Sequence, residues 1–278
     1  MSLLPFLLVT CLGAIAVVAV RAQPRVATGL GLAVLAASVL TAAFIRPGQA
    51  IAIGSTGIAT TDYLRVFLVL AALACLLLAI VGEATEGRRD APAVALGILA
   101  SCGLALSLPD ARVAVLAATA GGAFGALVAL VPDRGRTGAT VGTRVLRATA
   151  IAGTMAIAAT AWIGRDLSQL AAQPIVFGLA YLAFALAVAF RFGAIPAHTW
   201  AARLTDAVPE TTLPLVTAIA PAALAIVALA WADASIAPLA LDLTSVRFVV
   251  LVVAIASIFL ASVAAVIQDD IEHMVGYA

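Results

Sequence analysis

Four side chains that could hold charge or pass protons, Arg191, His198, Asp206 and Glu210, lie close together in the stretch FRFGAIPAHTWAARLTDAVPETTLPLVTAIAP, from Phe190 to Pro221. An arginine keeps its proton and acts as a fixed charge, whereas imidazole and carboxylate groups can exchange protons near neutral pH or after a modest shift. The group therefore reads as a set of ion pathway candidates, with Arg191 gating water around His198, Asp206 and Glu210. Pro196, Pro209, Pro214 and Pro221 interrupt the same stretch. At membrane depth such irregular backbone is tolerated only against protein or a water-filled cavity, and broken helices are where transporters place ion sites. Each side chain also has an ordinary reading. Arg191, at the end of an apolar run, can snorkel to the interface, His198 can sit there with a satisfied hydrogen bond, and Trp200 can anchor an aromatic belt.

The elements that must position these groups are membrane helices. Of the 278 residues, 64% are hydrophobic and 10% charged, with a mean hydropathy of +1.19. Soluble globular chains carry roughly 45 to 50% apolar and about 25% charged residues. All 15 basic residues are arginines. With no lysine, no buried ammonium is available to change its protonation state. Cys11, Cys75 and Cys102 lie in apolar runs without metal-ligand or redox spacing and read as small buried hydrophobes.

About 20 residues at 1.5 Å rise cross a hydrocarbon core roughly 30 Å thick. On that ruler nine spans are expected: 3–20, 26–44, 66–82, 91–108, 113–131, 148–164, 175 to about 192, 213–232 and 248–267. The first is read as a span, because it has no basic residue before its apolar run and is longer than a signal peptide's apolar region. Loops after odd spans hold nine arginines, the largest group in a linker from Pro132 to Arg147. Loops after even spans hold five. The positive-inside rule then puts the N-terminus outside and the C-terminus in the cytoplasm. This is an all-α integral membrane protein of about nine transmembrane helices, with broken or kinked seventh and eighth helices, expected in the cell (inner) membrane.

Acidic residues collect at the ends of spans, and no carboxylate falls in the middle of one. Proton pathways through a bilayer usually need such groups inside it. The fifth span carries Gly121, Gly122 and Gly125, a GxxxG spacing that permits close helix packing, although glycine and alanine are common throughout the chain.

The order of a basic residue, small apolar residues, Pro, His, Trp, Asp and a proline-rich approach to a helix resembles a family signature. It is that of the antiporter-like membrane subunits shared by respiratory complex I, Mrp-type cation/proton antiporters and membrane-bound hydrogenases, the proton-conducting membrane transporter family. Phe190, Arg191, Pro196, His198, Trp200, Asp206, Pro209, Pro214 and Thr217 carry this match. The ending QDDIEHMVGYA is similar to the segment after the family's ninth helix, through Asp270, His273 and Tyr277. The resemblance implies about fourteen spans in two inverted five-helix repeats, each with a broken helix and a lysine-centred half-channel. This chain has nine spans, so it looks like a shortened form. The implied divisions are leading helices over 1–108, an antiporter-like repeat with a broken helix over 109–245, and a ninth helix with a cytoplasmic tail over 246–278. Three departures bear on transport. The family's seventh-helix lysine is replaced by Arg191. Its eighth-helix lysine or histidine falls on Pro221, Ala223 or Leu224, and its fifth-helix glutamate falls near Ala120.

Three functions follow. One is a non-catalytic membrane subunit of a complex-I-like or membrane-hydrogenase-like redox assembly, structural and with a degenerate proton pathway. Another is an active proton or cation translocator using Arg191 and His198. A third, of another class, is an unrelated small-molecule carrier. Expected partners are other membrane subunits and lipid. No cofactor, metal site, catalytic residue or nucleic-acid interface is expected, and any redox or quinone chemistry belongs to a partner.

Overall fold

A computed structural model describes residues 1–53, 56–86, 91–129, 135–162, 174–194, 199–202, 204, 207–209, 211–236, 242 and 244–267. Nine helices occupy the expected spans among these residues: α1 Leu4–Ala19, α2 Pro24–Ala43, α3 Asp62–Glu86, α4 Ala91–Ser107, α5 Ala111–Ala129, α6 Gly135–Trp162, α7 Pro174–Arg191, α8 Ala220–Ile236 and α9 Thr244–Ile267. A single helical turn, Thr199–Ala202, follows α7, and a π-helical segment, Leu215–Ile219, runs directly into α8. Five helices (α2, α3, α6, α8 with its π segment, and α9) are long and apolar enough to cross a membrane, while α1, α4, α5 and α7 are shorter apolar helices. The chain is a multi-pass membrane protein.

Two boundaries differ from the hydropathy ruler. The arginine-bearing region expected as a linker up to Arg147 is helical from Gly135, forming the first turns of α6. Likewise α3 begins at Asp62, four residues before the apolar run. The ruler measures only the lipid-soluble part of a helix, and a helix with satisfied backbone can continue past it. Between α2 and α3 lies an antiparallel hairpin, β1 Ala50–Ile53 with β2 Thr56–Ala59, pairing Ala50 with Ala59 and Ile53 with Thr56. Thr60 fastens its base: the hydroxyl lies 2.9 Å from the Arg46 carbonyl and accepts from the Gln49 amide at 3.0 Å.

The central helix is α4, which packs on α1, α2, α3, α5 and α8. It buries Leu96, Ile98, Leu99 and Cys102 around most of its circumference. The chain continues α4, α5, α6, α7, each against the next, and α8 returns to lie on α4 and α5. Helix α9 has no buried residue and, among the described residues, packs appreciably only on α7. Cys75 and Cys102 are buried as expected, but Cys11 is exposed on the outer face of α1.

Membrane helices leave few homes for hydroxyl groups. Thr10, Thr28, Ser38, Thr119 and Thr160 each donate to a carbonyl one turn back in their own helix, at 2.7 to 3.1 Å. That back-bonding makes a hydroxyl nearly invisible to a low-dielectric interior.

Candidate functional site

The seventh helix ends on a glycine cap. Gly193 adopts φ +70°, its N–H donates to the Phe190 carbonyl at 3.2 Å, and the Ala194 N–H donates to the Ala189 carbonyl at 2.8 Å. These two bonds form the Schellman pattern, which a residue with a Cβ adopts only under strain. A methyl group on Gly193 would also lie 2.8 Å from Cβ of Ala201. The break therefore starts three residues before Pro196, at a position where sequence reasoning attributed it to the proline. Pro196 and His198 lie outside the described residues, as do Asp206, Glu210, Asp270, His273 and Tyr277.

Trp200, from the helical turn after this cap, folds back on the end of α7. Its Nε1–H donates to the Phe190 carbonyl at 2.9 Å, a second and shorter bond to the acceptor that the Gly193 amide also engages. Its ring lies 5.4 Å from Cζ of Arg191, in cation–π range. Both residues are buried, Arg191 at 3% exposure and Trp200 at 6%. The interfacial readings of these two side chains are thus replaced by an interior pair, with the cation at the favourable end of the α7 dipole.

Three helices converge on the guanidinium. A methyl group on Gly122 of α5 would lie 2.9 Å from Nη2 of Arg191, and 2.6 Å from Cγ2 and 3.0 Å from Oγ1 of Thr149 on α6. The glycine spacing in α5 is a packing device: Gly121 meets Ser101 of α4, and Gly125 faces Val216 of the π segment. Ala120, where the family's carboxylate was expected to fall, points outward and is exposed. The α5 position next to Arg191 is Gly122, which has no side chain. Among the described residues, Nη1 and Nη2 of Arg191 and Oγ1 of Thr149 are buried without a hydrogen-bond partner. Thr149 thus breaks the back-bonding habit of its neighbours. The other buried side-chain atom in this condition is Oε2 of Glu83, at the same end of the bundle, where Gly82 packs on Thr211.

The eighth crossing is distorted where its prolines fall. Pro209 stays outside the helix, its carbonyl accepting from the amides of Thr212 and Leu213 at 3.0 and 3.1 Å. Pro214 leads into the π segment, and Pro221 is buried just after it. Pro221 lacks the N–H that the Thr217 carbonyl would receive in an α-helix, and the widened register, with the Ala220 amide donating to Leu215, accommodates that loss. Leu215 and Ile219 join the core around α3 and α4, whereas Val216 joins the separate core with Trp200, Leu204, Val145 and Ala148. The three eighth-crossing positions where a titrating residue was sought, Pro221, Ala223 and Leu224, are all buried.

Sequence reasoning found Arg191, Trp200 and the prolines, and the structure brings the first two together. It missed Thr149, Gly193 and Glu83. A glycine two residues after a helical arginine was a readable cap signal, whereas nothing in the sequence sets Thr149 apart from other helical threonines.

No protein-family model matches the sequence, and no curated protein does. Solved structures do match in fold. The chain is similar to one in respiratory complex I from Thermus thermophilus with bound aureothin, with a TM-score of 0.71, 18% identity, and coverage of 98% of this chain and 61% of the other. A chain of the membrane-bound sulfane sulfur reductase, an archaeal respiratory membrane complex, matches at TM-score 0.79 and 14% identity over 99% of this chain and 61% of that one. A chain of the Mrp complex from Dietzia sp. matches at TM-score 0.69 and 17% identity, covering 98% and 56%. The present chain therefore spans about three fifths of the length of each of these chains. It shares its fold with these membrane-complex chains over that length.

Proposed function

We propose that this chain is a membrane subunit of a complex-I-like or membrane-hydrogenase-like assembly, structural in role, with a proton pathway that has degenerated. The observation that carries the reading is the environment of Arg191. At the seventh-helix position the fold offers a guanidinium, the facing α5 position is Gly122, and no described buried residue of the eighth crossing carries a titratable group. A relay works best when a group's pKa can be moved toward the operating pH, and arginine resists that. In this reading the chain sits in the cell membrane with the N-terminus outside, in three parts over 1–108, 109–245 and 246–278, and quinone or redox chemistry belongs to its partners.

A second reading, active translocation, is favoured by the unpartnered Arg191, Thr149 and Glu83 atoms, which a chain of water molecules would satisfy. One experiment separates the two. The parent complex is purified by a tag on this chain, its partners are identified, and it is reconstituted into proteoliposomes with a pH-sensitive dye. Arg191→Ala is expected to leave proton flux within about twofold of wild type. A tenfold loss with assembly intact would instead establish translocation through Arg191, and purification without other membrane subunits would overturn the subunit role.

A further inference from the structure

At the end of the bundle away from Arg191, a cleft of about 1000 Å³ opens between α3 and α8, floored by the end of α4 and the start of α5. Its walls run from Asp62 to Leu70 on α3 and from Ile226 to Ala234 on α8, which is about 12 Å along each helix at 1.5 Å per residue. The inner part is apolar, with the buried Leu64, Ala105, Ala114 and Val227 beside Phe67 and Trp231. That indole is held in place by Phe177 and Phe184, at ring-centroid distances of 5.6 and 5.3 Å. The polar groups gather at one end, where the Asp62 and Asp233 carboxylates stand with Thr61 and Ser107. Tyr63 and Leu229 form outer lips that are largely exposed, so the cleft is open toward the bilayer.

We infer that this cleft binds one phospholipid with a primary ammonium headgroup, its acyl portion between α3 and α8 and its ammonium on Asp62 and Asp233. Two features select a lipid over a transmembrane helix of a partner. The cleft is about 12 Å deep, close to the roughly 15 Å of one leaflet, and a partner helix needs the full thickness of about 30 Å. The space between α3 and α8 is also closed at its far end, where Gly82 meets Thr211, and Leu215 and Ile219 share one core with Cys75 and Ala79. The carboxylates select the headgroup. A primary ammonium brings a positive charge and three N–H donors, a quaternary ammonium brings charge without donors, and an anionic glycerol headgroup meets two like charges. The nearest basic residues in sequence, Arg65 and Arg112, are not part of the cleft lining. This inference holds whether or not the chain moves ions.

The test is native mass spectrometry of the purified chain, with its copurifying partners, after delipidation and re-addition of dioleoyl phosphatidylethanolamine, phosphatidylcholine or phosphatidylglycerol. One phosphatidylethanolamine per chain is expected to be retained, in preference to the other two. Ala230→Trp fills the cleft and is expected to abolish retention, with Val66→Trp as a second filling variant should the first fail to accumulate. The double variant Asp62→Asn with Asp233→Asn is expected to keep a bound lipid and lose the preference. Retention unaffected by both filling variants, preference for phosphatidylglycerol, or a partner helix in the cleft would each overturn the assignment.

Discussion

Replacing Arg191 by methionine tests whether the buried guanidinium is compensated. Methionine matches much of the side-chain volume and removes the charge. Two effects oppose each other. Loss of the contact with Trp200, 5.4 Å from ring centroid to Cζ, costs about 2 kcal/mol in a desolvated setting. Removing a charge whose Nη1 and Nη2 have no acceptor among the described residues relieves a burial penalty of several kcal/mol. The net expectation is a stabilisation of about 1 to 2 kcal/mol, or a rise of roughly 2 to 8 °C in the unfolding midpoint for a chain of this size. The assay is a thermal unfolding scan of the purified protein in mild detergent, with Trp200→Phe as a control that keeps the ring and loses the bond to Phe190. If Arg191→Met instead destabilises by about 3 to 5 kcal/mol, a counter-charge has been stranded, and the picture of an uncompensated cation is wrong. Asp206 and Glu210 would then be the first partners to examine.

Further outcomes follow from the same geometry. Gly122→Val drives a side chain into Thr149 and Arg191, with an expected cost of about 1 to 3 kcal/mol; adding Thr149→Ala should recover part of it in a double-mutant cycle read by thermal unfolding. Gly193→Ala places a Cβ at φ +70° and 2.8 Å from Ala201, so it should cost at least about 1 to 2 kcal/mol and loosen the end of α7, seen as faster exchange of the Ala194 amide. Asp242 accepts from the Thr244 hydroxyl and amide ahead of α9, and these bonds hold its carboxyl below the ordinary value. Because that value is depressed on folding, the stabilisation is fully present above the ordinary carboxylate range and is lost as pH falls through the lowered one. Exchange protection at the Thr244 amide should therefore stay flat through neutral pH and drop only in acid.

Much of this architecture was legible because hydropathy and length are the quantities a bilayer selects. All nine crossings stand where apolar runs placed them, with errors at boundaries where polar helix continues past the lipid, as at Asp62 and Gly135. The hairpin over 50–59 was not read, since AIAI and TGIA are too short to set an alternating pattern apart from the surrounding apolar sequence. At the candidate site, Arg191 announced itself by charge in an apolar run, and Trp200 by its spacing. Thr149 could not be found in this way, because a helical threonine ordinarily satisfies its hydroxyl on its own helix, and only the neighbours decide whether it does. Gly122 was readable as a small residue but not as the contact to the guanidinium.

The wide turn at Leu215–Ile219 has a mechanical consequence for the way the bundle is joined. One extra residue in a helical ladder offsets the faces before and after it by about 100°. That phase jump sets how the start of the crossing, with Leu215 seated against α3 and α4 and Val216 against α5 and α6, is rotated relative to α8. Deleting a single residue there would rotate the start of the crossing out of step with its remainder, unseating one of these contacts whichever way the chain settled. The segment works as a coupling between two packed bodies, and its phase holds both in register.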